Sequence, residues 1–300
     1  MSLSATHRFG MATRTATRCL LLVTLLAMVL AMVLVSACVT TPSPDARRRL
    51  ADELAGSADL RRTDLAAGEF ALRGFLRTGR PGQPLTVYIE GDGFAWKTRH
   101  RLSDDPTPPD PLALRLALQD SAANLAYLAR PCQYLTPEAL ARCAPDYWSG
   151  KRYAEEVIVA TDAALTQLRA RAQANGLHLV GYSGGAAVAA LVAARRHDVL
   201  SLRTVAGNLD HAALTTRHGV TALEGSLNPI DQAPRLSALP QRHFVGGKDR
   251  IVPADIARGF VNRLDPSRCA VVEVLAPASH TEGWIENWPH LLAQAVACRP

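Results

Sequence analysis

From residue 68 onward, short β-rich runs alternate with helical stretches. The predicted strands cover residues 69–76, 85–89, 124–128, 177–181, 202–206, 242–246 and 270–275. The predicted helices cover residues 111–121, 153–172, 184–197, 254–263 and 284–297. Strands that alternate with helices form a mostly parallel central sheet with helices on both faces, so the pattern predicts an α/β fold.

The composition is that of a globular protein. Hydrophobic residues make up 48% of the chain and charged residues 20%, which excludes a disordered chain or a coiled coil. The net charge is +6, but Arg8, Arg14 and Arg18 precede Cys38, and residues 1–37 contain no acidic residue. The remaining chain is only weakly basic, so we expect no nucleic-acid partner.

The N-terminal region has the pattern of a secretory signal, because residues 1–18 are basic and polar and an uncharged, mostly apolar run follows. The end of that run, Val35-Ser36-Ala37-Cys38, resembles the bacterial lipobox. The resemblance implies that Cys38 carries acyl chains such as palmitate and becomes the first residue of the mature protein. Several acyl chains together anchor a protein stably. An uncleaved transmembrane helix is the alternative, because about 18 apolar residues can span a bilayer.

These features divide the chain into three parts: a signal peptide over residues 1–37, a tether over residues 38–58, and one domain over residues 59–300. Inner-membrane lipoproteins of enteric type tend to carry aspartate after the lipidated cysteine, whereas this chain has Val39. By that resemblance we expect a lipid anchor in the outer membrane, facing the periplasm.

Export also determines how the remaining cysteines are interpreted. Four thiols in an oxidising compartment suggest two disulfides, for which three pairings exist. We expect local pairing, Cys132 with Cys143 and Cys269 with Cys298. A zinc site is the alternative, but the chain has no Cys-x-x-Cys and no close Cys/His pair to support it. Free buried thiols are a third alternative, and we expect neither a metal nor a cofactor.

Residues 181–185 read Gly-Tyr-Ser-Gly-Gly, a G-x-S-x-G motif between a predicted strand and a predicted helix. That context holds a nucleophilic serine in a sharp turn, here Ser183, at the carboxyl edge of the sheet. The helix that starts at Gly184 directs its free N–H groups at negative charge forming there. A glycine-rich turn of purely structural use is the alternative.

A serine nucleophile needs a base, and the base needs an acid that orients it. His280 is the best-placed base because it lies in a loop of small residues after the last predicted strand. Asp249 follows a strand that ends in two glycines and is the favoured acid. The residues that we rank lower are His178, His243 and His290 as bases and Asp210 and Asp231 as acids.

The order Ser183, Asp249, His280 resembles that of the α/β-hydrolase superfamily. The resemblance covers roughly residues 68–297 and rests on three features: Gly-Tyr-Ser-Gly-Gly, the segment Gly-Gly-Lys-Asp-Arg-Ile-Val-Pro at residues 246–253, and the loop histidine. It implies an α/β-hydrolase fold and a serine esterase or lipase-like activity, with His280 as the base and Asp249 as the acid.

Acyl transfer also requires an oxyanion site. One donor is expected to be the backbone N–H of Gly184, and the second that of Asp92 or Gly93, in the loop after the strand at residues 85–89. Many members of the superfamily have His-Gly where this chain has Glu90-Gly91. A carboxylate at Asp92 would repel an oxyanion unless it points away or pairs with a base such as Lys97 or Arg99.

The sequence therefore predicts a membrane-anchored serine hydrolase that cleaves an ester, thioester or amide of a small-molecule or lipid-like acyl substrate. The alternative is a non-catalytic envelope lipoprotein that uses the hydrolase fold as a binding module. Two segments, residues 95–110 and 131–150, are expected to shape the substrate pocket, and residues 207–235 are expected to cover it in part.

Overall fold

The computed structural model describes residues 41–264 and 269–298, and its main feature is one eight-stranded sheet. The strands of that sheet are β1 Arg61–Ala67, β2 Phe70–Arg77, β3 Leu85–Ile89, β6 Leu125–Leu128, β7 Leu177–Tyr182, β8 Val199–Val205, β9 Gln241–Gly246 and β10 Ala270–Leu275. Two short strands, β4 Trp96–Thr98 and β5 Arg101–Leu102, form a separate hairpin. The strand order in the large sheet is β1-β2-β6-β3-β7-β8-β9-β10.

Strands β6, β3, β7, β8, β9 and β10 run parallel, while β1 and β2 are antiparallel at one edge. The sheet is thus mostly parallel, as the sequence predicts. Parallel strands end at the same edge of a sheet, so the loops after β3, β7, β9 and β10 meet there.

Helices cover both faces of the sheet, which confirms the predicted α/β fold class. The helices are α1 Pro44–Gly56, α2 Leu112–Ala117, α3 Pro137–Leu140, α4 Glu155–Arg171, α5 Gly184–Ala193, α6 His211–His218, α7 Ala254–Arg263 and α8 Trp288–Leu292, with 3-10 turns at Pro145–Trp148 and Pro229–Leu236. One apolar core contains α4, α5 and α7, and a second, on the other face, contains α1, α2 and α8.

Helix α5 lies at the centre of the first core. All ten of its residues are buried, and they are Gly, Ala, Val and Leu only. A helix that is apolar on every side must be enclosed by other elements, here chiefly β7, β8, α4 and the 3-10 turn at Pro229–Leu236. This position fixes the direction of its N-terminus, where the serine of the G-x-S-x-G motif lies.

The predicted tether over residues 38–58 needs correction, because Pro44–Gly56 forms helix α1. Ser43 caps this helix by accepting the N–H of Ala46 over 3.2 Å. Ala51 and Ala55, one turn apart, are completely buried in the second core. Six of the 13 residues of the helix are charged, and this composition led to the prediction of a tether.

Arg47 contributes to the packing of helix α1 against the rest of the domain. Its guanidinium donates to the carbonyl groups of Asp105 and Thr107 and lies 5.5 Å from the ring centre of Phe94. Both hydrogen bonds come from Nη1, and they offset part of the cost of burying this charge. Only residues 39–43 then separate Cys38 from a helix of the domain.

The C-terminal helix is shorter than the predicted span of residues 284–297. It covers Trp288–Leu292, and Pro289 occupies its first turn, where a missing N–H costs nothing. Trp284 lies outside the helix. Its Nε1 donates to the carbonyl groups of Ser279 and His280, over 3.0 and 3.1 Å. Trp284 is therefore hydrogen-bonded to the loop that carries His280 and is not part of the C-terminal helix.

Two disulfides join Cys132 to Cys143 and Cys269 to Cys298, the local pairing that the sequence analysis favoured. Within residues 41–264 and 269–298, every helix is too short or too polar to cross a lipid bilayer. The predicted signal and Cys38 lie outside the described residues.

Candidate active site

Ser183 lies in the sharp turn between β7 and α5 that the sequence predicts. Its backbone has φ 52° and ψ −118°, a region that residues with a Cβ rarely adopt. Two hydrogen bonds hold the turn: Ser183 N–H donates to the carbonyl of Val205 over 2.9 Å, and Asn208 N–H donates to the carbonyl of Ser183 over 3.0 Å. The strained turn presents the side chain of Ser183 at the carboxyl edge of the sheet.

His280 and Asp249 reach Ser183 from the loops after β10 and β9. Ser183 Oγ is 3.0 Å from His280 Nε2, and His280 Nδ1 is 2.9 Å from Asp249 Oδ2. The other oxygen, Asp249 Oδ1, accepts the backbone N–H groups of Ile251 and Val252, each over 2.8 Å. The side chain of Asp249 is fully buried and that of His280 is 16% exposed. The three predicted residues therefore form one continuous hydrogen-bonded chain.

The lower-ranked histidines have other environments. His178 bonds Ser201 Oγ over 2.7 Å, and His290 is exposed on α8. His243 is completely buried beside Thr204, and this burial lowers its pKa to about 3. A group that stays neutral in the core suits packing rather than proton transfer.

The lower-ranked acids also lie apart from His280. Asp210 caps α6 by accepting the N–H of Ala213 over 3.1 Å, and its carboxylate also accepts from Asn228. Asp231 lies in the 3-10 turn at Pro229–Leu236. Of the acids that the sequence offered, the structure brings Asp249 to the imidazole.

The loop after β3 packs directly on this turn. A Cβ on Gly91 would lie 3.4 Å from Ser183 Cβ, and a Cβ on Gly184 would overlap the carboxylate of Asp92. Gly93 has a left-handed backbone conformation, with φ +66°, and a Cβ there would overlap the carbonyl of Pro106. The side chain of Asp92 therefore lies against Gly184, the first residue of α5.

Sequence comparison assigns no relatives, since no protein-family model and no curated protein matches this chain. Solved structures do match. An esterase of Pyrococcus furiosus superposes with a TM-score of 0.58 at 11% identity, over 79% of this chain and 91% of the esterase. An α/β serine hydrolase homologue from Coxiella burnetii superposes with a TM-score of 0.54 at 16% identity, over 77% of this chain and 94% of the other. This chain has the α/β-hydrolase fold.

A larger enzyme contains the same fold. The acylaminoacyl peptidase of Pyrococcus horikoshii superposes with a TM-score of 0.55 at 14% identity, over 77% of this chain but only 38% of the peptidase. At such identities the likeness establishes the α/β-hydrolase fold alone. What the site does must therefore be argued from its own residues.

The partners of Asp92 differ from those expected. Lys97 pairs with Asp104, and Arg99 donates to the carbonyl of His218 over 3.5 Å, so neither base serves Asp92. Instead, the carboxylate of Asp92 accepts three hydrogen bonds from residues that the sequence analysis did not single out. They come from Arg130 Nη1 over 3.1 Å, Arg152 Nη1 over 2.8 Å and Tyr153 Oη over 3.0 Å.

One of these residues had a signal in the sequence. Arg130 follows β6 closely, and an arginine just after a strand that neighbours β3 is a candidate for the same edge of the sheet. Arg152 and Tyr153 lie just before α4 and had no comparable signal. Burial acts to raise the pKa of Asp92, but the charges of Arg152 and Arg130 outweigh it and hold that pKa below its ordinary value.

Glu90, at the position where many α/β-hydrolases have a histidine, is buried beneath the same loop. Its Oε1 accepts the N–H of Gly91 over 2.8 Å, and its Oε2 accepts the hydroxyl of Tyr127 over 3.2 Å. Burial raises the pKa of Glu90 from an ordinary value of 4.5 to about 7. Around neutral pH this carboxyl group is thus divided between its neutral and charged forms.

A small cleft opens beside Asp92. Both segments that were expected to shape a pocket contribute to it. Its walls are formed by Asp92, Pro106, Arg130, Pro131, Gln133, Tyr147, Trp148 and Arg152. The cleft combines aromatic and proline surface with two guanidinium groups.

Proposed function

We propose that this protein is a serine hydrolase that cleaves an ester, thioester or amide through a covalent acyl-enzyme. The observation that carries the proposal is the continuous chain of hydrogen bonds from Ser183 through His280 to Asp249, set in a strained turn at the N-terminus of α5. A serine hydroxyl becomes a useful nucleophile only when a base within hydrogen-bond reach removes its proton. These three residues provide that arrangement.

Each residue has a definite role in this mechanism. His280 Nε2 takes the proton from Ser183 Oγ as that oxygen attacks the carbonyl carbon, and it returns the proton to the leaving group. Asp249 accepts the Nδ1–H of the imidazole and stabilises the imidazolium cation that forms. Water, activated by the same imidazole, then releases the acyl group from Ser183.

The negative charge of the tetrahedral intermediate requires donors close to the nucleophile. The N–H of Gly184 is available because it lies in the first turn of α5, where N–H groups have no partner within the helix. The N–H of Asp92, in the loop that packs on Gly184, is the second donor in this proposal. The helix N-terminus adds its own partial positive charge.

An ester is the favoured substrate. Among the matched structures, the likeness covers 91% of the Pyrococcus furiosus esterase and 38% of the acylaminoacyl peptidase. A series of p-nitrophenyl esters of increasing chain length would measure the acyl preference.

A fluorophosphonate probe tests the proposal directly, because it phosphonylates only a serine that a base has activated. Labelling of the wild-type protein and its loss in Ser183→Ala are the expected results. Substitution of Ser279, which lies next to His280, by alanine serves as the control and should leave labelling intact. A wild-type protein that neither labels nor hydrolyses any ester would favour the non-catalytic binding module instead.

We also propose that acyl chains on Cys38 anchor the protein in the outer membrane, facing the periplasm. The proposal rests on the resemblance of Val35-Ser36-Ala37-Cys38 to a lipobox. The two disulfides support an exported protein, because disulfides persist in oxidising compartments. Since α1 begins at Pro44, the segment between anchor and domain spans at most about 20 Å when fully extended.

A further inference from the structure

We propose that Arg130 and Arg152 are positioning residues of this site. Together with Tyr153 they hold the side chain of Asp92, so that the Asp92 N–H points at the oxyanion beside the N–H of Gly184. The inference rests on the proposed serine hydrolase function and adds three residues to it. None of the three contacts Ser183 Oγ, His280 or Asp249, so each acts through Asp92.

The loop around Asp92 is held in place and has free N–H donors. Gly91 is fixed on both sides: its N–H donates to Glu90 Oε1 over 2.8 Å, and its carbonyl accepts from Gln133 Nε2 over 3.0 Å. Over the described parts of the chain, the N–H groups of Asp92 and Gly93 have no protein acceptor. A loop with fixed flanks and free donors is suited to bind an anion.

The carboxylate of Asp92 connects its loop to two other parts of the fold. Arg130 follows β6, whereas Arg152 and Tyr153 precede α4, so the carboxylate joins two separate elements to the loop after β3. These elements also bind each other: Arg130 Nη2 donates to the carbonyl of Arg152, and the Arg130 guanidinium lies 5.3 Å from the Tyr153 ring centre. Arg152 is fixed further by its Nε, which donates to the carbonyl of Ser149 over 2.8 Å.

Hydrogen bonds also connect the residues around Asp92 to the nucleophile. Asn208 donates from its side chain to the hydroxyl of Tyr153 over 3.3 Å and from its backbone to the carbonyl of Ser183 over 3.0 Å. One residue thus links the Asp92 cluster to the backbone of the nucleophile. The relative position of the two expected oxyanion donors is therefore set by hydrogen bonds on both sides.

Charge supports the same assignment. The positive charges of two guanidinium groups outweigh the charge of the Asp92 carboxylate in this cluster, and the partly ionised Glu90 lies beneath the same loop. The side chains of Arg130 and Arg152 are 5% and 14% exposed, so water screens this charge only weakly. An isolated carboxylate at Asp92 would repel the oxyanion, whereas its pairing with the two arginines offsets that repulsion.

The test compares Arg152→Met, Arg152→Lys and Tyr153→Phe with the wild-type protein. A p-nitrophenyl ester gives kcat and KM, and a trifluoromethyl ketone, which forms a tetrahedral adduct with the serine, gives an inhibition constant. Loss of one oxyanion donor costs about 10²–10³ in kcat, so a misplaced donor should cost about 10- to 100-fold. KM should change by less than about threefold, and the inhibition constant should rise in parallel with the loss in kcat/KM.

Intermediate results are expected for the milder variants. Arg152→Lys keeps the charge but loses the planar guanidinium that donates to both Asp92 and the carbonyl of Ser149, so it should lie between Arg152→Met and the wild type. Tyr153→Phe removes only the hydroxyl that bonds Asp92, and it decides the question if Arg152→Met fails to fold.

Arg196→Met is the matched control. Arg196 is 10% exposed and binds the carboxylates of Asp162 and Asp198 over 2.7 Å, at the amino end of β8, on the opposite edge of the sheet from Ser183. It should lower the melting temperature and leave kcat and the inhibition constant unchanged. If Arg152→Met and Tyr153→Phe behave in the same way, the cluster only stabilises the fold and the inference is wrong. If the proposed hydrolase function is wrong, the result is different: the wild-type protein itself is not labelled by the fluorophosphonate and does not hydrolyse the ester.

Discussion

Ser183 Oγ and His280 Nε2 lie 3.0 Å apart although 97 positions separate the two residues in the chain. The distance is short because β7 and β10 belong to the same run of parallel strands, whose carboxyl ends share one edge of the sheet. Asp249 follows β9, the strand beside β10, and completes the contact. The site is thus a direct consequence of the order of the strands.

Removal of either end of this contact should abolish catalysis. In Ser183→Ala or His280→Ala we expect kcat to fall about 10⁴-fold or more, because His280 is the base that reaches the nucleophile within residues 41–264 and 269–298. Asp249→Asn should cost slightly less, since the imidazole keeps its place but loses the carboxylate that stabilises its cation. KM should change little, because none of the three changes removes the surface that binds the substrate. Steady-state hydrolysis of a p-nitrophenyl ester measures all three.

His290→Ala is the matched control, since His290 is exposed on α8 and should be dispensable. If His280→Ala retained most of the activity, the base would be another residue and the assignment of His280 would be wrong.

The sequence was sufficient for the parts of this site that depend on local signals. Strands β3 and β10 and helix α7 have the predicted bounds, because β-branched runs and an amphipathic pattern mark them clearly. Strand β1, with the sequence Arg-Arg-Thr-Asp-Leu-Ala-Ala, was not predicted. It is a polar edge strand, and its pairing with β2 shows in no local pattern.

The partners of Asp92 could not be predicted for a similar reason. Lys97 and Arg99 are its nearest bases along the chain, but they lie on the exposed β4–β5 hairpin and bind other groups. Arg130 and Arg152 reach Asp92 because of the positions of β6 and α4, which depend on the packing of the whole sheet. Side-chain contacts between distant elements follow from tertiary structure rather than from spacing.

Glu90 should make the stability of the protein depend on pH. The pKa of Glu90 is about 7 in the folded protein against an ordinary 4.5, so between these values the folded state holds a proton that the unfolded chain has released. The free energy of unfolding should therefore fall as the pH rises from about 4.5 to 7, in total by on the order of 3 kcal/mol. Glu90→Gln should remove this contribution. Urea unfolding followed by tryptophan fluorescence at several pH values measures it.

Only the difference between the variant and the wild-type protein tests this point, because other groups titrate in the same range. Glu224→Gln, a change at an exposed glutamate, should reproduce the wild-type pH profile. Parallel profiles for Glu90→Gln and the wild type would mean that Glu90 titrates alike in the folded and unfolded chain.

The disulfide between Cys132 and Cys143 should contribute to stability through the loop that it closes. The two cysteines are 11 positions apart, and closure of such a loop is worth roughly 3 kcal/mol in the chain-entropy model. The double variant with alanine at both positions should lose about that amount in urea unfolding. Non-reducing peptide mapping of protein made in the periplasm should recover both residues in one linked fragment.

The pair Cys269 and Cys298 provides a comparison within the same protein. It spans 29 positions, so its removal should cost slightly more, nearly 4 kcal/mol in the same model. Recovery of free thiols at Cys132 and Cys143 would contradict the predicted bond, whatever the stability of the variants.

The lipid anchor makes a prediction about size and location. If Val35-Ser36-Ala37-Cys38 is a lipobox, the mature protein begins at Cys38 and is found with membranes, and radioactive palmitate labels it. Cys38→Ser should abolish both the acylation and the cleavage, because the lipoprotein peptidase requires the thioether first. The uncleaved precursor should then give a heavier band in the inner membrane.

Cys19→Ser is the matched control, since Cys19 lies within the predicted signal and its substitution should change neither the labelling nor the mass. A transmembrane anchor predicts no mass shift on Cys38→Ser, and palmitate labelling that survives this change would exclude Cys38 as the site of acylation.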